Sequence, residues 1–159
     1  MLSAPFSNNL YLRTRCSLLA MYNHSLALNG LRVLVVDSDL DSRVLLTMVF
    51  EEYGVETIAA TSAFEALEIV KQVKPDLLIS EISLPNEDGY SLMRKVKAVE
   101  KARQVEIPAI ALTTYDGEDD RAHALSVGFE KHLPKPFDID ELITTVACLT
   151  KQVQSELTV

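Results

Sequence analysis

Four short groups of polar residues follow short strand-like runs in this chain. Asp37-Ser38-Asp39 follows Leu31 to Val36, and Glu81 follows Leu77 to Ser80. Thr113-Thr114 ends the run from Pro108, and Lys135-Pro136 follows Lys131 to Pro134. Carboxylates so placed can act as nucleophiles or as hard oxygen ligands. An ammonium beside hydroxyls can neutralise and hydrogen-bond a charged group. Pro85 and Asp88-Gly89 shape the loop after Glu81. A carboxylate ending a buried strand before a shaped loop sits where open α/β sheets place their sites.

Short β-branched runs alternate with helical patterns from Leu31 onward. Strands are expected at Leu31 to Val36, Val55 to Ala60, from Leu77, at Pro108 to Thr113 and at Lys131 to Pro134. The first helix runs from an Asp41-Ser42 cap to about Tyr53 with Gly54 behind it, and buries Val44, Leu45, Met48 and Val49. The second opens on the capping box Ser62 to Glu65, buries Ala66, Leu67, Val70 and Val73, and stops before Pro75. Tyr90 to about Lys101 buries Leu92, Met93 and Val96, and an acidic-started helix from Asp116 to Val127 is closed by Gly128. The last helix opens on the Asp138 to Glu141 box, runs to about Lys151 and buries Leu142, Ile143, Val146 and Leu149. Five strands alternating with five helices imply an α/β fold, a doubly wound parallel sheet with right-handed crossovers. The flavodoxin-like order 2-1-3-4-5 brings all four polar groups to one edge.

The 159 residues make one domain with a real core. Residues 31–151 hold it, and residues 152–159 form a frayed tail. No apolar run is long enough to span a bilayer. The net charge of −8 opposes binding to nucleic acid, whose phosphates would be repelled. Cys16 and Cys148 are far apart with no CxxC, as expected of free thiols in a cytoplasmic protein. Residues 1–30 contain no Asp or Glu, and Arg13 and Arg15 are their only full charges. This Arg-bearing, acid-free start reads as a weakly ordered extension with a short helix around Ser17 to Leu28. It also has the composition of a transit peptide. A true start at Met21 and a partner-binding amphipathic helix are further readings.

VLVVDSDLDSR, PDLLISEISLPNEDG, PAIALTT and LPKPF together resemble the signature segments of response-regulator receiver domains, and the wording is similar to receivers of hybrid sensor kinases. The resemblance covers roughly Leu31 to Leu149. It implies a CheY-like receiver in two-component phosphorelay signalling, standing alone, with a histidine kinase or another two-component protein as partner. It implies Glu81 at the phosphoryl-acceptor position, with Thr113 and Lys135 contacting the phosphoryl. Mg²⁺ would lie on Asp37, Glu81 and the Ser83 backbone carbonyl. Lys135-Pro136 matches a position where receivers carry a cis peptide. His132 matches a switch aromatic, although a half-exposed strand histidine is the plainer account. The docking and homodimer face would be the fourth helix, fifth strand and fifth helix, within Asp116 to Leu149.

Two positions depart from that pattern. The acceptor is Glu81 rather than Asp, and Ser38 replaces the second acid of the first-strand pair. Asp39 comes one residue late to replace it. The extra methylene moves the attacking oxygen by about 1.3 Å, and a misplacement of ~1 Å can cost on the order of a hundredfold in rate. A lost carboxylate weakens the Mg²⁺ site. The expectation is a degenerate, phosphorylation-independent pseudo-receiver, not an enzyme beyond slow autophosphorylation and dephosphorylation. Glu81 then either imitates a phosphorylated Asp toward Thr113 and Lys135 or is merely salt-bridged in an inactive site. The alternatives are a working acceptor using Glu81 with Mg²⁺, and a small-ligand binder, for which no Gly-rich or aromatic cofactor loop is found. His24 and His123 lack metal-ligand partners and read as surface residues. Tyr115 either covers the site or packs on its loop.

Overall fold

The computed structural model describes residues 28–114 and 117–158, with side chains through residue 150. The readings placed on residues 1–27 and on Tyr115 and Asp116 lie outside the described residues. Five strands, β1 (Arg32–Val36), β2 (Glu56–Ala60), β3 (Leu77–Ser80), β4 (Ala109–Thr113) and β5 (Lys131–Pro134), form one parallel sheet in the order β2-β1-β3-β4-β5. The helices are α1 (Leu40–Glu52), α2 (Ala63–Gln72), α3 (Gly89–Arg103), α4 (Glu118–Val127) and α5 (Ile139–Thr158).

Strand alternation divides the core in two. Val33, Val35, Leu77, Ile79, Ile110 and Leu112 face α1 and α5, meeting Leu46, Phe50, Leu142 and Val146. Leu34, Val36, Leu78, Ala109 and Ala111 face α2, α3 and α4, meeting Val70, Leu92, Val96 and Ala124. Both faces are covered, which is why the central strands read as unbroken apolar runs. The doubly wound flavodoxin-like reading therefore holds, strand order included.

Local differences have physical causes. Asp39, not Asp41 or Ser42, caps α1, accepting from Ser42 N at 3.2 Å and Ser42 Oγ at 2.8 Å. The inward face of α1 is Leu46, Val49 and Phe50, whereas Val44, Leu45 and Met48 are exposed. Val49 alone of the four expected residues is buried, because α1 is apolar on more than one side and its periodicity is ambiguous. Among the helices toward the other face, α2 opens on Ser62, whose Oγ accepts from Glu65 N at 3.2 Å. Its partner Glu65 reaches back to Thr61 N, also at 3.2 Å. α4 starts behind Gly117. α5 continues to Thr158, past the expected end near Lys151, and no Gly or Pro interrupts that stretch.

Candidate functional site

The register of the central strands assembles the site. Val36 of β1 lies opposite Ser80 of β3, so Asp37 and Glu81 leave the sheet side by side. Thr113 lies opposite Pro134, which carries Lys135 past the end of β4. Backbone bonds fix these exits: Asp37 N donates to Ala60 O at 3.1 Å, Glu81 N to Val36 O at 2.8 Å and Lys135 N to Thr113 O at 2.8 Å. The Lys135–Pro136 peptide is cis.

Lys135 Nζ joins the two carboxylates. It lies 2.6 Å from Asp37 Oδ2 and 2.8 Å from Glu81 Oε2. Asp37 is 2% exposed and Glu81 6%. Charge-assisted bonds of this length are the strong kind. The other oxygens are engaged as well. Asp37 Oδ1 accepts from Asp39 N at 2.9 Å, and Glu81 Oε1 accepts from Ile82 N at 2.8 Å and Ser83 N at 3.1 Å. Burial pushes the Lys135 ammonium toward losing its proton. The hydrogen bonds to Asp37 and Glu81 outweigh this and hold its pKa above the usual lysine value.

Gly89, the first residue of α3, closes the loop behind Glu81. Its N–H donates to Ile82 O at 2.8 Å, and a Cβ there would lie 2.7 Å from Glu81 O. No side chain but hydrogen fits that approach, which explains why Asp88-Gly89 follows the carboxylate.

The structure thus gathers Asp37, Glu81 and Lys135, with the Thr113 backbone beside them. Thr113 is fully buried. Ser38 and Ser83 are exposed, and Ser83 meets Glu81 through its backbone N–H. His132 lies in β5 opposite Ala111 and is buried at 4% exposure, not half-exposed, because α-helical cover reaches this strand too. His123 is exposed as expected, and its ring stacks on Tyr90 with centroids 3.9 Å apart. Sequence reasoning missed two neighbours. Ser42 Oγ lies 3.4 Å from Lys135 Nζ, and Arg43 Nη1 donates to Asp37 O at 2.7 Å. Both belong to the first turn of α1, and moving the cap back to Asp39 would have pointed to them. Asp39 itself is drawn away as that cap. Its hydrogen bond from the Ser42 hydroxyl holds its pKa below the usual carboxylate range.

Among the described residues no group of three or more His, Cys, Asp and Glu side chains could hold a metal ion. Nor is any helix of those residues long and apolar enough to cross a membrane.

Residues 33–147 match the family model of the response regulator receiver domain. The chain is 42% identical over 114 residues to an uncharacterized 14.6 kDa protein in the sodA1 3' region of Leptolyngbya boryana, covering 72% of this chain and 86% of that one. It is 32% identical over 111 residues to sporulation initiation phosphotransferase F of Bacillus subtilis, covering 70% and 86%. The receiver domain of sensor histidine kinase PA1611 from Pseudomonas aeruginosa, solved with a magnesium ion coordinated in its active-site cleft, superposes with a TM-score of 0.69 at 26% identity, covering 77% of this chain and 98% of that one.

Proposed function

Because this chain belongs to the response regulator receiver domain family, we propose that it serves two-component signalling as a phosphorylation-independent interaction module in which the Glu81–Lys135 pair takes the place of a phosphorylated acceptor. The observation that carries this reading is the 2.8 Å contact between Glu81 Oε2 and Lys135 Nζ. A phosphoryl group on an acceptor would present negative oxygen to that ammonium, and Glu81 presents one already. Its longer side chain reaches the lysine while Oε1 stays bound to two backbone amides.

Mg²⁺ does not fit this donor set as it stands. Ser38, which is exposed, stands where the family carries its second acid. The two remaining carboxylates share the ammonium, so a divalent cation would have to displace it. The partner would be a histidine kinase or another two-component protein, docking on α4, β5 and α5, the same face that would form a homodimer.

The test is incubation with a small phosphodonor and Mg²⁺, read by intact mass. No adduct is expected. A hydroxylamine-labile adduct that disappears in Glu81→Ala would make the protein a working acceptor and overturn the reading. Glu81→Gln separates imitation from inert pairing. Under imitation its amide shifts spread through β4 and β5 to His132, and shifts confined to Asp37, Glu81 and Lys135 refute it.

A further inference from the structure

The outward side of α1 carries an apolar stripe with nothing described against it. Leu40, Val44, Leu45 and Met48 are 62%, 48%, 45% and 60% exposed. Leu40, Val44 and Met48 are spaced by four, so they line one side of the helix, while Leu46, Val49 and Phe50 fill the core on the other. A helix apolar on both sides is ordinarily covered on both, and contiguous exposed apolar patches mark contact sites. Asp41, Glu51 and Glu52 rim the stripe and are exposed. Its one basic residue, Arg43, is held by the Asp37 carbonyl. A second copy of this helix would bring like charges together.

The described chain begins beside this helix. Leu28 has helical geometry and is fully buried among Leu31, Phe50 and Val55. Gly30 N donates to Gly54 O at 2.9 Å, and a Cβ on Gly54 would collide with the Asn29 side chain. Residues 28–30 therefore lie against the C-terminal end of α1, and residues 1–27 enter there. That segment carries Arg13, Arg15 and no acid, in a chain of net charge −8. Leu18, Tyr22 and Leu26 repeat the spacing of Leu40, Val44 and Met48. The sequence from Ser17 to Leu28 is twelve residues, a length that would span about 18 Å as a helix, against about 20 Å for the 13 residues of α1.

We propose that residues 17–27 cover the exposed stripe of α1 in the same chain, running antiparallel to it. Leu26 then meets Met48, Tyr22 meets Val44 and Leu18 meets Leu40. Arg15 and Arg13 arrive at the acidic end formed by Asp39 and Asp41. The direct connection through Leu28 gives the segment a high effective concentration at this face. A protein that uses the stripe must first displace it. The first turn so covered also holds Ser42 and Arg43, which touch Lys135 and Asp37.

The full chain bearing Cys148→Ser takes a nitroxide on Cys16, and isotope-labelled amides report proximity. The signals of residues 40–44 should lose most of their intensity, with less loss toward Glu52. Introducing Leu18→Asp and Tyr22→Asp, both outside the described fold, should restore them. A mixture of spin-labelled unenriched protein with enriched unlabelled protein should show no loss. Unchanged α1 signals in the first sample, loss that survives the double variant, or loss in the mixture, which would mean a second copy is the occupant, each overturn the proposal.

Discussion

Two buried glutamates in this molecule meet a lysine in different ways. Glu81, after β3, has both oxygens engaged: two backbone amides hold one and an ammonium shared with Asp37 holds the other. Glu100, on α3, is 8% exposed, with Lys97 at 3.3 Å from its Oε2 and the Ile107 backbone N–H also acting on the carboxylate, while its Oε1 is buried with no hydrogen-bond partner. Burial, chiefly, raises the Glu100 pKa despite the opposing lysine. A counter-ion that leaves one carboxylate oxygen without a partner thus compensates burial poorly. A loop that aims backbone N–H groups at it completes the compensation. The first arrangement is what a site needs, and the second is tolerated on a helix flank.

The largest test of that contrast removes the shared ammonium. Lys135→Met should destabilise the protein by about 3–5 kcal/mol in urea unfolding at neutral pH, because two buried carboxylates lose their partner. If the loss is under ~1 kcal/mol, the triad is not a compensated unit.

A second test uses alkali. The folded pKa of Lys135 lies above its ordinary 10.5. The folded state therefore holds this proton more tightly than the unfolded one. The resulting stability is fully present below about pH 10.5 and is lost as pH rises through the folded value. Urea midpoints of the parent protein should fall above that pH, and Lys135→Met should lack this component.

The smallest effect belongs to Glu100. Its folded pKa lies above 4.5, so the charged form is disfavoured by folding and stability declines as pH rises through that window. Glu100→Gln should therefore gain about 1 kcal/mol or less at pH 7 and flatten the decline. A loss of stability at pH 7 would show that the Lys97 contact outweighs burial.

Much of this was legible in the chain itself. Unbroken apolar runs before Asp37 and Glu81 marked strands covered on both faces, and the alternation of elements implied a parallel sheet whose common flavodoxin-like order brings both to Lys135. What escaped was governed by contacts across the fold. Val44, Leu45 and Met48 carry the same hydrophobicity as Leu46 and Phe50, so periodicity could not choose the inward side of α1. Asp39 and Asp41 are both competent caps, and only the exit direction of β1 selects between them. His132 looks polar in sequence yet is enclosed at its place in β5. The bonds from Ile82 and Ser83 to Glu81 are backbone events that no side-chain pattern announces.

β5 is an edge strand four residues long, and the unpaired N–H and C=O groups of an exposed edge invite pairing with other chains. Lys135 leaves its end and reaches across β4 to groups leaving β3 and β1. The lysine is thus a rivet that fastens the rim of the sheet to its centre. A variant that releases it loosens the outermost strand first, and opens a template for aggregation at the margin before the core gives way.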